Sequence, residues 1–212
     1  MSFLDSIFGP RPWPVTLEHG PVGLRPIRRA DEWAWNDVRR RNQLWTGHWD
    51  STRPPEASGP ALSFGEMVAD FTRQARDGRM LPWFITYRGL PDAEPELAGQ
   101  MTISGITYGS ARWAQAGYWV DERWAGRGIV PTALAMAGDY CFRGLRLHRL
   151  EVAIRPENVK SLRVVEKLGF RREGVIPHYL HVDGDWRDHL MFALHADEVG
   201  PEGLMGRLAP RS

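Results

Sequence analysis

With 212 residues, 42% of them apolar and 25% charged, the chain is expected to fold as one domain burying roughly 70% of its unfolded surface. A net charge of +1 points to no strong electrostatic hold on nucleic acid or an anionic membrane, so neither is expected as a partner, and no apolar run approaches the ~18 residues of a membrane span. The one cysteine, Cys141, excludes an intrachain disulfide and suits a reducing, cytoplasmic setting, while Asp5 and the lack of a basic leader argue against a signal peptide.

In chain order, residues 1–13 place Phe3, Leu4, Ile7 and Phe8 on a one-turn helix stopped at Gly9-Pro10, a segment expected to dock on the body or on a second subunit. Val15–Glu18 and Val22–Ile27 flank His19-Gly20-Pro21 and read as a hairpin or a bent first strand. A helix over Ala30–Trp45 follows, with Trp33, Val38, Asn42 and Trp45 spaced for partial burial. It runs into an aromatic and proline-bearing loop, Thr46–Pro55. Ser63-x-x-Glu66 is a capping box opening a second helix, which continues through Met67, Phe71 and Ala75 to Gly78. Trp83–Tyr87 and Leu97–Ile106 read as strands around a turn over residues 89–95. Then come a strand (Ala114–Asp121), a helix (Pro131–Arg143), a strand (Arg149–Ile154) and a helix (Asn158–Leu168). Phe170–Val182 and Trp186–His195 pair as a hairpin through Asp183-Gly184. The tail from Ala196 is broken by Gly and Pro and reads as loop or loose helix. The order ββ-αα-βββ-α-β-α-ββ predicts a mixed α+β sheet with helices on both faces, one domain over residues 14–195 between short end segments.

The stretch from Tyr118 to Thr132 carries the most chemistry. Tyr118-Trp119-Val120 ends a buried strand, Arg123-x-x-Gly126-x-Gly128 follows, and Pro131 falls in a first helical turn, where its missing N–H costs nothing. A strand feeding a glycine-bearing turn at a helix N-terminus makes an anion site. Free N–H groups point outward, the helix dipole favours negative charge, and glycine admits a phosphate close to the backbone. The hexapeptide also fits a plain tight connection, and it is neither of the common nucleotide-binding loops. The seven histidines show no metal-ligand spacing, so no metal is expected.

Further landmarks follow in a fixed order. These are Asn158-x-x-Ser161 after a strand, then Leu168-Gly169-Phe170, with Leu24-Arg25-Pro26 and Gly117-Tyr118-Trp119-Val120 before them and Trp186-Arg187-Asp188 near the end. Over residues 15–194 this resembles the GNAT superfamily of acetyl-CoA-dependent N-acyltransferases, and most closely its Rim-type ribosomal-protein-alanine N-acetyltransferase branch. The resemblance implies a mostly antiparallel twisted sheet splayed between two parallel strands. It implies acetyl-CoA as cofactor and no metal. It implies transfer by direct attack in a ternary complex, onto the N-terminal α-amine of a protein, by similarity a ribosomal protein beginning with alanine or serine. Other acceptors (an antibiotic, a polyamine, a lysine), a succinyl donor, and a non-catalytic coenzyme A-binding module stay open, as do monomer and homodimer.

The resemblance also implies roles. The pyrophosphate of coenzyme A lies on the amides of Trp124, Ala125, Gly126, Arg127, Gly128 and Ile129, with Arg123 or Arg127 adding charge. The pantetheine slots between the strand 116–121 and the strand 149–154, and an amide near Trp119 or Val120 donates to the thioester carbonyl. Asn158 borders the cofactor, caps its helix, or does both. Ser161 is the candidate acid for the departing thiolate, because Val165 stands where many relatives carry a tyrosine; otherwise it is a plain first-turn serine. Trp45, His48 and Trp49, with Tyr118, Tyr179 and Trp186, wall the acceptor groove. Some Rim-type relatives carry a glutamate two residues before Gly-Tyr-Trp, where this chain has Gln115, which cannot take a proton. At neutral pH roughly a tenth of an α-amine is uncharged, against about 0.04% of a lysine amine, so Gln115 favours an N-terminal acceptor. Glu122, Asp50, His48 or a water is left to receive the proton.

Overall fold

The computed structural model describes residues 13–57 and 60–208. Eight strands form one sheet: β1 (Leu17–His19), β2 (Val22–Pro26), β3 (Leu81–Tyr87), β4 (Glu96–Thr107), β5 (Trp113–Val120), β6 (Arg149–Ile154), β7 (Arg171–Val182) and β8 (Asp185–His195). Their spatial order is β1-β2-β3-β4-β5-β6-β8-β7, and every neighbouring pair is antiparallel except β5–β6. This is the mixed sheet expected from the sequence. The apolar segment around Phe3 and Phe8 lies outside the described residues.

Helices cover both faces because the central strands are apolar on both. On β3, Leu81, Trp83 and Ile85 enter the larger core with α4 (Ile129–Asp139), α5 (Val159–Lys167) and α6 (Gly203–Gly206). Phe84, between them, enters a second core with α1 (Glu32–Arg41) and α3 (Phe64–Arg76). The capping box opens α3 as expected: Ser63 Oγ accepts from the Glu66 N–H at 3.3 Å, and the Glu66 carboxylate accepts from the Ser63 N–H at 2.8 Å. Of the four residues spaced for partial burial only Trp45 is partly buried, and Val38 is buried at 3%. Trp33 is 80% exposed, and Asn42 is buried at 1% and breaks the expected single helix, with α2 (Gln43–Thr46) following it. At φ −102° and ψ 11° Asn42 leaves the helical region, and its side-chain amide donates to the Val38 carbonyl at 2.8 Å. The tail, expected as loop or loose helix, carries a 3₁₀ turn (Ala196–Glu198) and the four-residue helix α6. Leu204 is fully buried against Gly138, and Asp139 accepts from the Leu204 and Met205 N–H groups at 2.7 and 3.2 Å.

The feature that shapes the site is how briefly β5 and β6 pair. Their register holds for Trp113↔Arg149, Ala114↔Leu150 and Gln115↔Glu151 only; β5 then stays with β4, and β6 stays with β8. A wedge opens between them. The Asp121 N–H donates to the Ala98 carbonyl at 2.7 Å, so alternation along the antiparallel pair turns the N–H and C=O of Trp119 toward β4. The same alternation turns those of Tyr118 and Val120 into the wedge.

Candidate active site

At the mouth of the wedge the chain makes the glycine turn. Asp121 caps a single 3₁₀ turn over Glu122–Trp124, Gly126 and Gly128 take φ of 78° and 76°, and α4 starts at Ile129, two residues before Pro131. A Cβ built on either glycine meets nothing within 4 Å, so the space above the turn is open. The first α4 amide to bond back is Thr132, to the Gly128 carbonyl at 3.1 Å, which leaves the N–H groups of Ile129 and Val130 free of helical partners. The two candidate cations separate here. Arg123 is spent on Asp121 (3.0 Å) and Glu96 (3.4 Å), whereas Arg127 makes no ion pair among the described residues. The guanidinium of Arg127 lies 5.1 Å from the Trp124 ring centroid. Trp124 packs against Tyr87 at 5.0 Å, and its indole N–H is buried without an acceptor, so packing alone holds the ring. Open glycines, free amides and one uncommitted arginine fit a pyrophosphate.

Inside the wedge, Asn158 caps α5, its Oδ1 accepting from the Ser161 N–H at 3.1 Å, while its Nδ2 keeps no protein partner among the described residues. Ser161 lies half-buried on the first turn. The Tyr118 hydroxyl donates to the Ser161 carbonyl at 3.5 Å. Burial pushes the Tyr118 phenol well above its usual range, with a hydrogen bond to Ser161 acting the other way, so it stays neutral. Val165 is fully buried and offers no hydroxyl. Trp119 and Val120 resolve into different tasks. The Trp119 ring packs on Trp35 (5.5 Å) under Arg39 (5.0 Å), and its indole N–H donates to Gln100 at 3.4 Å; only Val120 presents its amide to the wedge.

Three of the six acceptor-groove candidates, Trp45, His48 and Trp49, lie on the segment that crosses to the β7–β8 hairpin, and two more, Tyr179 and Trp186, lie on that hairpin. Ser51 bridges Val182, the Thr52 N–H donates to the His181 carbonyl at 2.8 Å, and His48 Nδ1 meets Asp183 at 3.1 Å. Arg155 donates to the His48 carbonyl at 2.8 Å and lies 5.4 Å over Trp49. Trp45 donates its indole N–H to the Val120 carbonyl at 3.0 Å, beneath the Lys160 ammonium at 3.6 Å. Trp45, Trp49, Asn158 and Lys160 line a cavity of about 150 Å³ there. Trp186 stands half-exposed, edge-on to His181 at 5.6 Å. A bulge in β7 between Ile176 and Leu180 carries Tyr179, whose hydroxyl accepts from Gln115 Nε2 at 3.0 Å. The sixth candidate, Tyr118, does not join them: it packs in the larger core with its hydroxyl on Ser161. Of the proton acceptors named from sequence, Asp50 pairs with Arg39 and His48 with Asp183.

A family model described as acetyltransferase (GNAT) domain matches residues 22–171. The chain is a GNAT acetyltransferase. It is 30% identical over 191 residues to the ribosomal protein uS5-alanine N-acetyltransferase of Escherichia coli (strain K12), covering 88% of this chain and 94% of that protein. Among solved structures it resembles Mycobacterium smegmatis RimJ in complex with CoA-disulfide, at 39% identity and a TM-score of 0.82, covering 93% and 94% of the two chains. A spermidine N(1)-acetyltransferase of Escherichia coli (strain K12) is 27% identical over 107 residues, half of this chain.

The acetyltransferase also uses residues that sequence reasoning passed over. Asp121, 1% exposed, accepts from Arg41 Nε (3.1 Å) and Nη2 (2.6 Å), from Asn42 Nδ2 (3.0 Å), and from Arg123 Nε (3.0 Å) and N–H (3.2 Å). Burial alone would raise its pKa, but the hydrogen bonds from Arg41, Asn42 and Arg123 outweigh it and hold the carboxyl below the ordinary range. Asn42 Oδ1 in turn accepts the Glu122 N–H at 2.8 Å. The end of α1 is thereby bolted to the glycine turn. An asparagine at a buried helical position was the available signal, since such a group requires partners. Cys141 is fully buried, which pushes its thiol up to about 12 and leaves it inert packing.

Proposed function

We propose that this acetyltransferase acetylates the N-terminal α-amine of a protein, a ribosomal protein beginning with alanine or serine being the acceptor its relatives suggest. The observation that carries this is Gln115: it stands at the groove with its amide donated to Tyr179, where a base would otherwise stand. An acceptor that reaches the site already neutral needs no such base. About a tenth of α-amines meet that condition at neutral pH, and almost no lysine amines do. The cations Lys160 and Arg155 beside Trp45 and Trp49 weigh against a polyamine acceptor.

In this reading acetyl-CoA supplies the activated acetyl group. The amides from Trp124 to Ile129, with Arg127, hold its pyrophosphate. The Val120 N–H polarises the thioester carbonyl as the amine nitrogen forms its bond to carbon. Trp45 holds the peptide unit after Val120 through the Val120 carbonyl, which braces the strand end that carries the Val120 N–H. Ser161 donates to the sulfur as the C–S bond breaks, and the amine proton leaves through water. The test uses two peptides of one sequence, each containing a lysine, one with a free and one with a blocked α-amine. Only the free peptide should be acetylated, with kcat/KM rising with pH and levelling off at about pH 8. Acetylation of the blocked peptide at a similar rate would overturn the reading.

A further inference from the structure

Away from the wedge, a cleft of about 480 Å³ opens between the turn after β2 and the outer face of α3. Its floor is Ile27, Val68, Ala69 and Thr72, and its walls carry Arg28, Arg29, Arg73 and Arg76 against one carboxylate, Asp77. Arg73 and Arg76 stand one helical turn apart on α3 and face the other two across the floor. Four arginines and one aspartate give this cleft a net charge of +3, on a chain whose total is +1. The residual charge is also uncommitted. Arg73 is shared with Asp70 and Asp77 with Arg79, but Arg28, Arg29 and Arg76 form no ion pair among the described residues. By contrast Arg25, Arg39, Arg41, Arg123 and Arg149 each pair with a carboxylate.

We infer that this cleft docks the phosphodiester backbone of structured RNA. The cleft is open rather than enclosing, which suits a polymer passing through it more than a small anion held inside it. Guanidinium forks match phosphate oxygens in pairs, and the regular spacing of phosphates along a backbone lets several forks be met at once. The choice of RNA rests on the ribosomal acceptor proposed above, because an N-terminus on a ribosomal particle lies beside RNA. The chain's small net charge conceals the cleft because it averages over the whole surface, so the sequence-based expectation against nucleic acid rests on overall charge alone.

The test measures fluorescence anisotropy of a labelled RNA hairpin, with polyglutamate as the acidic-protein arm. Three phosphate contacts predict that wild-type affinity falls about 40-fold between 50 and 200 mM salt. In Arg28→Ala/Arg76→Ala one contact is left, and the same salt step should cost only about three- to fourfold. Both residues are exposed, and the double variant should acetylate a free peptide at the wild-type rate. That control also separates the two proposals, since failure of the blocked-peptide test leaves the RNA measurement intact. Absence of RNA binding, a salt response unchanged in the variant, or equal binding of polyglutamate would overturn the inference.

Discussion

Replacing Asp121 by asparagine keeps the side chain's shape and removes its charge, which isolates the bolt between α1 and the glycine turn. Asparagine still accepts through one oxygen from Asn42 and from the Arg123 N–H. Its new NH₂ group then faces the donors of Arg41, at 2.6 and 3.1 Å, and of Arg123, at 3.0 Å. Hydrogen bonds to a charged group are worth about 1.5–3 kcal/mol each, and breaking a buried pair costs about 3–5 kcal/mol. The two arginine side chains are 28% and 49% exposed, so water screens part of the loss and the low end applies, about 3 kcal/mol. For a chain of this length that lowers Tm by about 6–12 °C. The sign with pH follows from the direction of the shift. A carboxyl held below its ordinary pKa adds stability that is present above the unfolded value, about 4, and is lost as pH falls through the lowered one. Urea denaturation at about pH 7 should therefore show the full gap between wild type and Asp121→Asn, and the gap should close in acid. A difference below about 0.5 kcal/mol at neutral pH, or one that stays constant into acid, would refute the account.

Gly128→Asp should abolish coenzyme A binding by calorimetry while circular dichroism shows a folded chain; φ of 76° adds strain of roughly 1–2 kcal/mol, and the carboxylate meets the pyrophosphate. Ser161→Ala should lower kcat by tens of fold, about 2–3 kcal/mol, with the KM for acetyl-CoA nearly unchanged; a wild-type rate would leave Ser161 a structural first-turn residue. Trp45→Phe keeps a ring beneath Lys160 but removes the donor to the Val120 carbonyl. Steady-state kinetics should show kcat about five- to tenfold lower, with binding of acetyl-CoA within twofold of wild type.

What could be read from the sequence was mostly local. The Ser63–Glu66 box, the Asp183-Gly184 turn and the two glycines before Ile129 each declare themselves within a few residues, and all three appear where expected. What escaped depends on partners far along the chain. Asn42 ends a helix because Asp121 and Glu122 stand beside it, 79 and 80 residues away. Of the two cations that the sequence offers for the pyrophosphate, Arg123 is taken up by Glu96 and Asp121, which leaves Arg127. Tyr118 and Val120 were placed on different sides of the reaction, although period two puts both on one edge of β5; its neighbour Trp119 is the one turned away. The tail reads as loose because its anchors, Leu204 against Gly138 and the Leu204 and Met205 N–H groups on Asp139, lie more than 60 residues away and have no periodic pattern to announce them.

The short pairing of β5 with β6 leaves the sheet as two panels, β1–β5 and β6–β8, joined by a seam three residue pairs long. The loop from Trp45 to Thr52 is sewn across that seam. It springs from the helix bolted to the first panel and fastens to the second through Val182, His181 and Arg155. The segment whose tryptophans face the acceptor is therefore also a stitch holding the panels together. On the proposed reading, a substitution made here to retune acceptor choice should also change the spacing of the two panels, and with it the affinity for acetyl-CoA.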